Sequence, residues 1–235
     1  MEEVFKSGTL EMSTSPIEGL AADPRWSDVL TNRILAVVAV CLLILCLRNV
    51  FRLIPHLLYC YDRSRGAEAL EHSLGTARMR NLLALANLLP FCLILDRFEV
   101  LRPAFWDSIP PVWSAPATVG LLSGFVLVRA LCHLVLRPRR ANREVAATLQ
   151  HNLYNYLPAV LPLMLLTTAV VLFAGVDEEV ARTLFRGEIA VAWGFSTLRS
   201  GQILGAHCAG FSTFLYLCAL EILPAALLVA VVVLF

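Results

Sequence analysis

Two residues that could do chemistry inside a membrane are an acid and a base in separate apolar runs. Glu221 stands in the middle of residues 211–235, and Arg129 stands in residues 117–136. At 1.5 Å per residue, Glu221 would lie about 15 Å from the start of its run and Arg129 about 10 Å from the same face. An unpaired charge at such depth costs at least ~2.5–3.5 kcal/mol. We therefore predict a contact between Arg129 and Glu221.

An intramembrane pair of this kind has two interpretations. In the first it is a structural clamp that fixes the register of two helices. In the second it binds a substrate or a proton near the bilayer midplane, where transporters place their sites at broken helices. Pro90 and Pro224 do not occupy corresponding positions of the two halves, which counts against a transporter built from repeats.

Further polar residues fall in or beside the apolar runs. His133 and Arg199 join Glu221 and Arg129 as candidate site residues, and Asn87 stands in another run. Asparagines such as Asn87, Asn152 and Asn155 could line a polar cavity. They could equally form interhelical hydrogen bonds worth about 0.6–2 kcal/mol each.

The remaining reactive side chains do not form a recognisable cofactor or catalytic motif. The 5 histidines all fall on one predicted side, which would suit haem or metal between helix ends, but their spacing defines no site, and histidines facing lipid headgroups are the ordinary case. The 7 cysteines include no C-x-x-C pair, so we interpret them as reduced hydrophobes. There is no phosphate-binding glycine loop, G-x-S-x-G or H-E-x-x-H. We expect no cofactor and no enzymatic activity.

Composition indicates the elements that must position these residues. With 58% hydrophobic and 16% charged residues and a mean hydropathy of +0.73, the chain is too apolar for a soluble domain. The formal net charge of +1 offers no basic footprint for nucleic acid. We predict an all-α polytopic helical membrane protein with a mobile polar tail at residues 1–27. The domain of residues 28–235 would contain about six spans, at residues 28–50, 79–96, 117–136, 153–173, 178–204 and 211–235.

The pattern of the fifth span, residues 178–204, allows two interpretations. Asp177 is a plausible N-cap, with Glu178 and Glu179 in the first turn where the helix dipole favours acids. The apolar part of residues 178–204 is short, so a re-entrant or interfacial helix is the alternative. With six spans, most of the 19 basic residues fall on one side, and the positive-inside rule places both termini on the other, periplasmic side.

The last helix also carries a resemblance. The string Tyr216-Leu-Cys-Ala-Leu-Glu-Ile-Leu-Pro224, with Arg199-Ser-Gly201 and Tyr154-Asn155-Tyr156, resembles an uncharacterised family of multi-pass membrane proteins found chiefly in Bacteroidetes. The resemblance covers about residues 48–235 and implies a bacterial inner membrane. It implies no site residues, because none are known for that family. We expect a structural, assembly or interaction component of the cell envelope, in contact with the bilayer and with a membrane-protein partner or a second copy. A small transporter using Glu221 and Arg129 is the alternative.

Overall fold

The computed structural model describes residues 26–62, 64–136 and 143–234, and these are helical almost throughout. Most of the predicted tail, residues 1–25, lies outside the described residues. The helices are α1 Leu30–Asp62, α2 Ser64–His72, α3 Leu74–Arg97, α4 Ser114–Val135, α5 Arg143–Ala174, α6 Glu178–His207, α7 Gly210–Leu217 and α8 Leu223–Leu234. A π-helical turn, Cys218–Ile222, joins α7 to α8, so that these three form one continuous rod.

Among the residues that the structure describes, five helices are long and apolar enough to cross a membrane. They confirm the prediction of an all-α polytopic membrane protein, and each overlaps a predicted span. Most extend beyond the apolar runs because polar turns at the helix ends continue the hydrogen-bonding pattern. These five segments are Leu30–Tyr61, Leu74–Arg97, Pro111–Val135, Val145–Ala174 and Gly210–Val233.

α6 is a further long helix that is less apolar than these five. The Asp177 carboxylate accepts a hydrogen bond from the Glu179 N–H at 3.2 Å, which confirms the predicted N-cap. The 30 residues of α6 run antiparallel to α5, as two contacts show: Glu188 meets Thr167, and the later residue Ser196 meets the earlier residue Asn152. The helix exposes Phe195 and Leu198 and buries Ser196 and Ser200, so apolar side chains face outward although the helix is less apolar on average. The span at residues 178–204 stays a prediction.

The helices pack side by side in a bundle. α1 packs on α3, α3 packs on α4 and α5, α5 packs on α6, and α8 packs on α4. We call the end that contains α2 and the C-terminal ends of α4 and α6 the arginine-rich end. The opposite end contains residues 98–113 and the turn at residues 175–177.

At the opposite end a buried carboxylate ties three segments together. Asp96 of α3 accepts hydrogen bonds from Trp26 Nε1 at 2.7 Å, Ser114 Oγ at 2.5 Å and Thr118 Oγ1 at 2.9 Å. Trp26 belongs to a 3-10 turn, Trp26–Asp28, so the last two residues of the predicted tail, 26 and 27, form part of this turn. These bonds fix the start of α1 against α3 and α4.

Two glycines allow the chain to reverse. A Cβ on Gly66 would lie 2.5 Å from the carbonyl oxygen of Tyr59, so α2 can fold back against α1 only with glycine at this position. Gly175 has φ of 63°, the left-handed conformation that ends α5 and starts the turn into α6. Both positions keep successive helices in close antiparallel contact.

Candidate functional site

Arg129 of α4 and Glu221 form a buried, two-bonded ion pair, as predicted from their depths. Arg129 Nη2 donates to Glu221 Oε1 at 2.7 Å, and Arg129 Nε donates to Oε2 at 3.2 Å. Each residue exposes only 3% of its surface. A guanidinium that binds both carboxylate oxygens gives a charge-assisted contact with fixed geometry.

The pair is closed by further hydrogen bonds from two other helices. Arg129 donates to the carbonyl oxygens of Gln150 at 2.7 Å and Leu149 at 3.3 Å, both on α5. Ser200 of α6 donates its hydroxyl to Glu221 Oε1 at 3.0 Å. The Glu221 carboxylate therefore has three protein donors and Arg129 bonds to four acceptors.

Glu221 stands within the π-helical turn Cys218–Ile222. Pro224 follows three residues later and has no N–H, and its ring clashes with the carbonyl four residues earlier in a regular α-helix. A wider turn relieves that clash, and here the Leu223 N–H bonds to the Cys218 carbonyl. Such single π turns occur frequently at functional sites.

One stretch of α5, residues 149–155, is the point where the helices meet. We call it the α5 hub. Its carbonyls at residues 149 and 150 bind α4, and its side chains at 151 and 152 bind α2 and α6. The bonds to other helices are Arg129 to the Leu149 and Gln150 carbonyls, His151 to Glu71, Asn152 to Ser196 and Ser200, and Tyr61 to the Asn155 carbonyl.

A second ion cluster lies beside the hub at the arginine-rich end. Glu71 of α2 pairs with Arg80 of α3 at 2.8 Å and contacts His151 Nδ1 at 3.1 Å. Burial alone would raise the pKa of the Glu71 carboxyl. The hydrogen bond from His151 and the charge and hydrogen bond of Arg80 outweigh burial and lower the pKa from 4.5 to about 2. Glu71 is therefore an anion that joins α2 to α3 and α5.

The other three predicted site residues do not converge on the pair. His133 lies one turn from Arg129 on α4, 8% exposed, and its Nε2 is buried without a partner. Asn87 is buried in α3, and no hydrogen bond among the described residues joins it to the pair. Arg199 turns toward α1, where it bonds to the Tyr61 carbonyl, and it also bonds to Gln202 of its own helix at 2.8 Å.

Ser200 and Glu188 are polar residues of α6 that the sequence patterns did not single out. Ser200 binds Glu221, and Glu188 contacts the Thr167 hydroxyl while its Oε2 is buried without a partner. The signal for Glu188 was an acid directly beside the apolar stretch that starts at Ile189. The apolar part of this segment is short, so the pattern does not mark Glu188 as an acid inside a span.

Within residues 26–62, 64–136 and 143–234, no three His, Cys, Asp or Glu side chains gather as a metal site would require. Comparison of the chain with protein-family models, with curated proteins and with solved structures finds no match. The assignment of a function therefore depends on the geometry of the buried polar groups.

Proposed function

We propose that this chain is an integral protein of a bacterial inner membrane that acts as a structural, assembly or interaction component of the cell envelope, without enzymatic activity. The observation that carries the proposal is that protein groups enclose the Arg129–Glu221 pair and take up its hydrogen bonds. Both charges are buried, and their remaining hydrogen bonds go to protein groups on two further helices, α5 and α6. This arrangement favours a clamp that holds one helix register over a site that exchanges ligands.

The outer surface supports a role in assembly. α1 exposes large apolar side chains along its length, among them Ile34, Ile44, Leu45 and Phe51. In a membrane this face is available to lipid or to the helix of a partner protein. The resemblance to the Bacteroidetes membrane-protein family supports an inner-membrane location, and the distribution of arginines supports periplasmic termini.

A small proton-coupled transporter is the second candidate, and two observations favour it. Glu221 lies in a π-helical turn, and the neighbouring His133 has a buried ring nitrogen without a partner. A titratable pair at a helix irregularity could change its protonation during transport. In a transporter, the buried Arg129–Glu221 pair would be one conformational state of the transport cycle.

One set of variants separates the two functions. Arg129→Leu with Glu221→Leu removes both charges and keeps the site apolar. For a clamp, the double variant restores the membrane abundance that either single substitution lowers, and cells carrying it grow as the wild type does. For a transporter, abundance is restored but growth and proton-coupled flux in proteoliposomes remain lost. Crosslinking from native membranes, followed by identification of co-purified proteins, then tests the assembly role directly.

A further inference from the structure

Glu188 of α6 is an acid in the predicted fifth span, and it differs from Glu221 in having no ion pair with a described residue. It follows Phe185, which is fully buried, by one turn of α6, and its neighbour Ile189 packs against the same apolar cluster. Thr167, its contact on α5, lies seven residues before Ala174, which corresponds to about 10 Å inside the bundle from the opposite end. Glu188 therefore carries its carboxyl into an apolar part of the bundle.

The contacts of this carboxyl are too few for an ionised group. In the part of the chain that the structure describes, its one hydrogen-bond partner is the Thr167 hydroxyl, at Oε1, and Oε2 is buried with none. A carboxylate offers about four lone-pair sites. A charged carboxyl inside a membrane helix is energetically costly, whereas the protonated acid carries no charge.

Charged groups on the surrounding elements are engaged elsewhere. Residues 153–174 of α5 contain no acid, arginine, lysine or histidine, and neither do residues 223–234 of α8. On α6, Arg186 donates to the Val100 carbonyl, and Arg182 binds Glu99. On α3, Asp96 is bound by neutral donors, and Arg97 pairs with Glu178 at 3.7 Å. Nothing among these described groups stabilises an anion at position 188.

We propose that Glu188 is a proton-binding site at the contact between α5 and α6. Release of the proton requires water to reach the contact between α5 and α6, so this helix pair is the place where the protein exchanges a proton with the aqueous phase. This inference concerns a different carboxyl from the Arg129–Glu221 pair and holds whether that pair is a clamp or a transport site.

A lipid-soluble carbodiimide tests the proposal, because it reacts with protonated carboxylic acids. The acid oxygen adds to the central carbon of dicyclohexylcarbodiimide and its proton moves to a nitrogen, giving an O-acylisourea that rearranges to a stable N-acylurea. The full chain in phosphatidylcholine liposomes is treated at neutral pH, digested and analysed by mass spectrometry. We expect the adduct on the peptide that contains Glu188, unchanged labelling there in Glu221→Gln, and none in Glu188→Gln.

Infrared difference spectroscopy tests the same proposal if the carbodiimide does not reach the carboxyl between the helices. A protonated carboxyl has a carbonyl stretch that a carboxylate lacks. We expect this band in the wild type and in Glu221→Gln, and its loss in Glu188→Gln, which should fold because an amide resembles the neutral acid. Identical spectra for the wild type and Glu188→Gln, together with no adduct at Glu188, would overturn the proposal.

Discussion

Arg129 Nη2 and Glu221 Oε1 lie 2.7 Å apart although 92 positions separate the two residues in the chain. The contact joins α4 to the π-helical turn before α8, and Arg129 Nη1 and Nη2 also bind backbone carbonyls of α5. One guanidinium therefore holds three segments at a single level of the bundle. Its removal should affect the whole arrangement and not one contact alone.

Arg129→Gln or Glu221→Gln should each lower the free energy of unfolding by about 3–5 kcal/mol, because each leaves an uncompensated buried charge. The Arg129→Leu/Glu221→Leu double variant should recover most of that loss. Unfolding in mixed micelles of increasing denaturing detergent measures these differences. If the double variant loses the sum of the two single losses, the charges do not act as a pair.

Asn152→Leu should destabilise the protein by about 1 kcal/mol, in the range found for interhelical hydrogen bonds in membranes. The Asn152 amide donates to the Ser196 carbonyl at 2.8 Å and to Ser200 Oγ at 3.0 Å. Asn155→Leu is the matched control, because Asn155 is equally buried on the same helix but its Oδ1 has no partner. Equal losses in the two variants would contradict the assigned bonds.

The stability that Glu71 contributes should depend on pH only in the acid range. Its pKa is lowered from 4.5 in the unfolded chain to about 2 in the folded protein, so the folded state favours the anion. This contribution is complete above about pH 4.5 and is lost as the pH falls through about 2. Thermal unfolding of wild type and Glu71→Gln from pH 7 to pH 3 should show a difference that is constant at first and then narrows. A difference that widens on acidification would disprove the assignment.

Gly66→Ala should destabilise the contact between α1 and α2 by about 1–3 kcal/mol, the usual cost of overpacking. The added Cβ would lie 2.5 Å from the Tyr59 carbonyl oxygen, and backbone cannot move aside as a flexible side chain can. Gly75→Ala is the control, since a Cβ there would meet nothing within 4 Å. Melting temperatures of the two variants should move in opposite directions or differ by several degrees.

The two ends of α6 should be accessible from opposite sides of the membrane. In a cysteine-free background, Val176→Cys and a restored Cys208 are labelled in turn with a membrane-impermeant maleimide, on intact cells and on inverted vesicles. We expect Val176→Cys to react from the periplasmic side and Cys208 from the cytoplasmic side. Reaction of both from one side would make α6 a re-entrant or interfacial helix.

Depth along a helix could be predicted from the sequence, but the direction in which a side chain points could not. Arg129 and Glu221 were paired because rise per residue places them at similar depth and opposite charges attract. Arg199 lies at a comparable distance from its helix end, yet it faces α1 and binds the Tyr61 carbonyl. Rotation of a helix about its axis depends on packing with all its neighbours, which periodicity in one segment does not specify.

The same limit explains why the sequence patterns did not predict the contacts of the α5 hub or the exposed surface of α6. Average hydropathy finds helices that are apolar on every side, whereas α6 buries Ser196 and Ser200 and exposes Phe195 and Leu198. The carbonyls of Leu149 and Gln150 have no side-chain signature at all. Backbone acceptors become visible as partners of Arg129 only when α4 and α5 are placed against each other.

The separation between Arg129 and Glu221 has a consequence for biogenesis. Arg129 is translated and leaves the ribosome with α4, before α5 provides its carbonyl acceptors and well before the Glu221 segment provides the countercharge. During that interval the insertion machinery must shelter a guanidinium that has no partner. Completion of the fold thus waits for a segment synthesised 92 residues later, and a nascent chain stalled before that point should be held by the translocon or degraded.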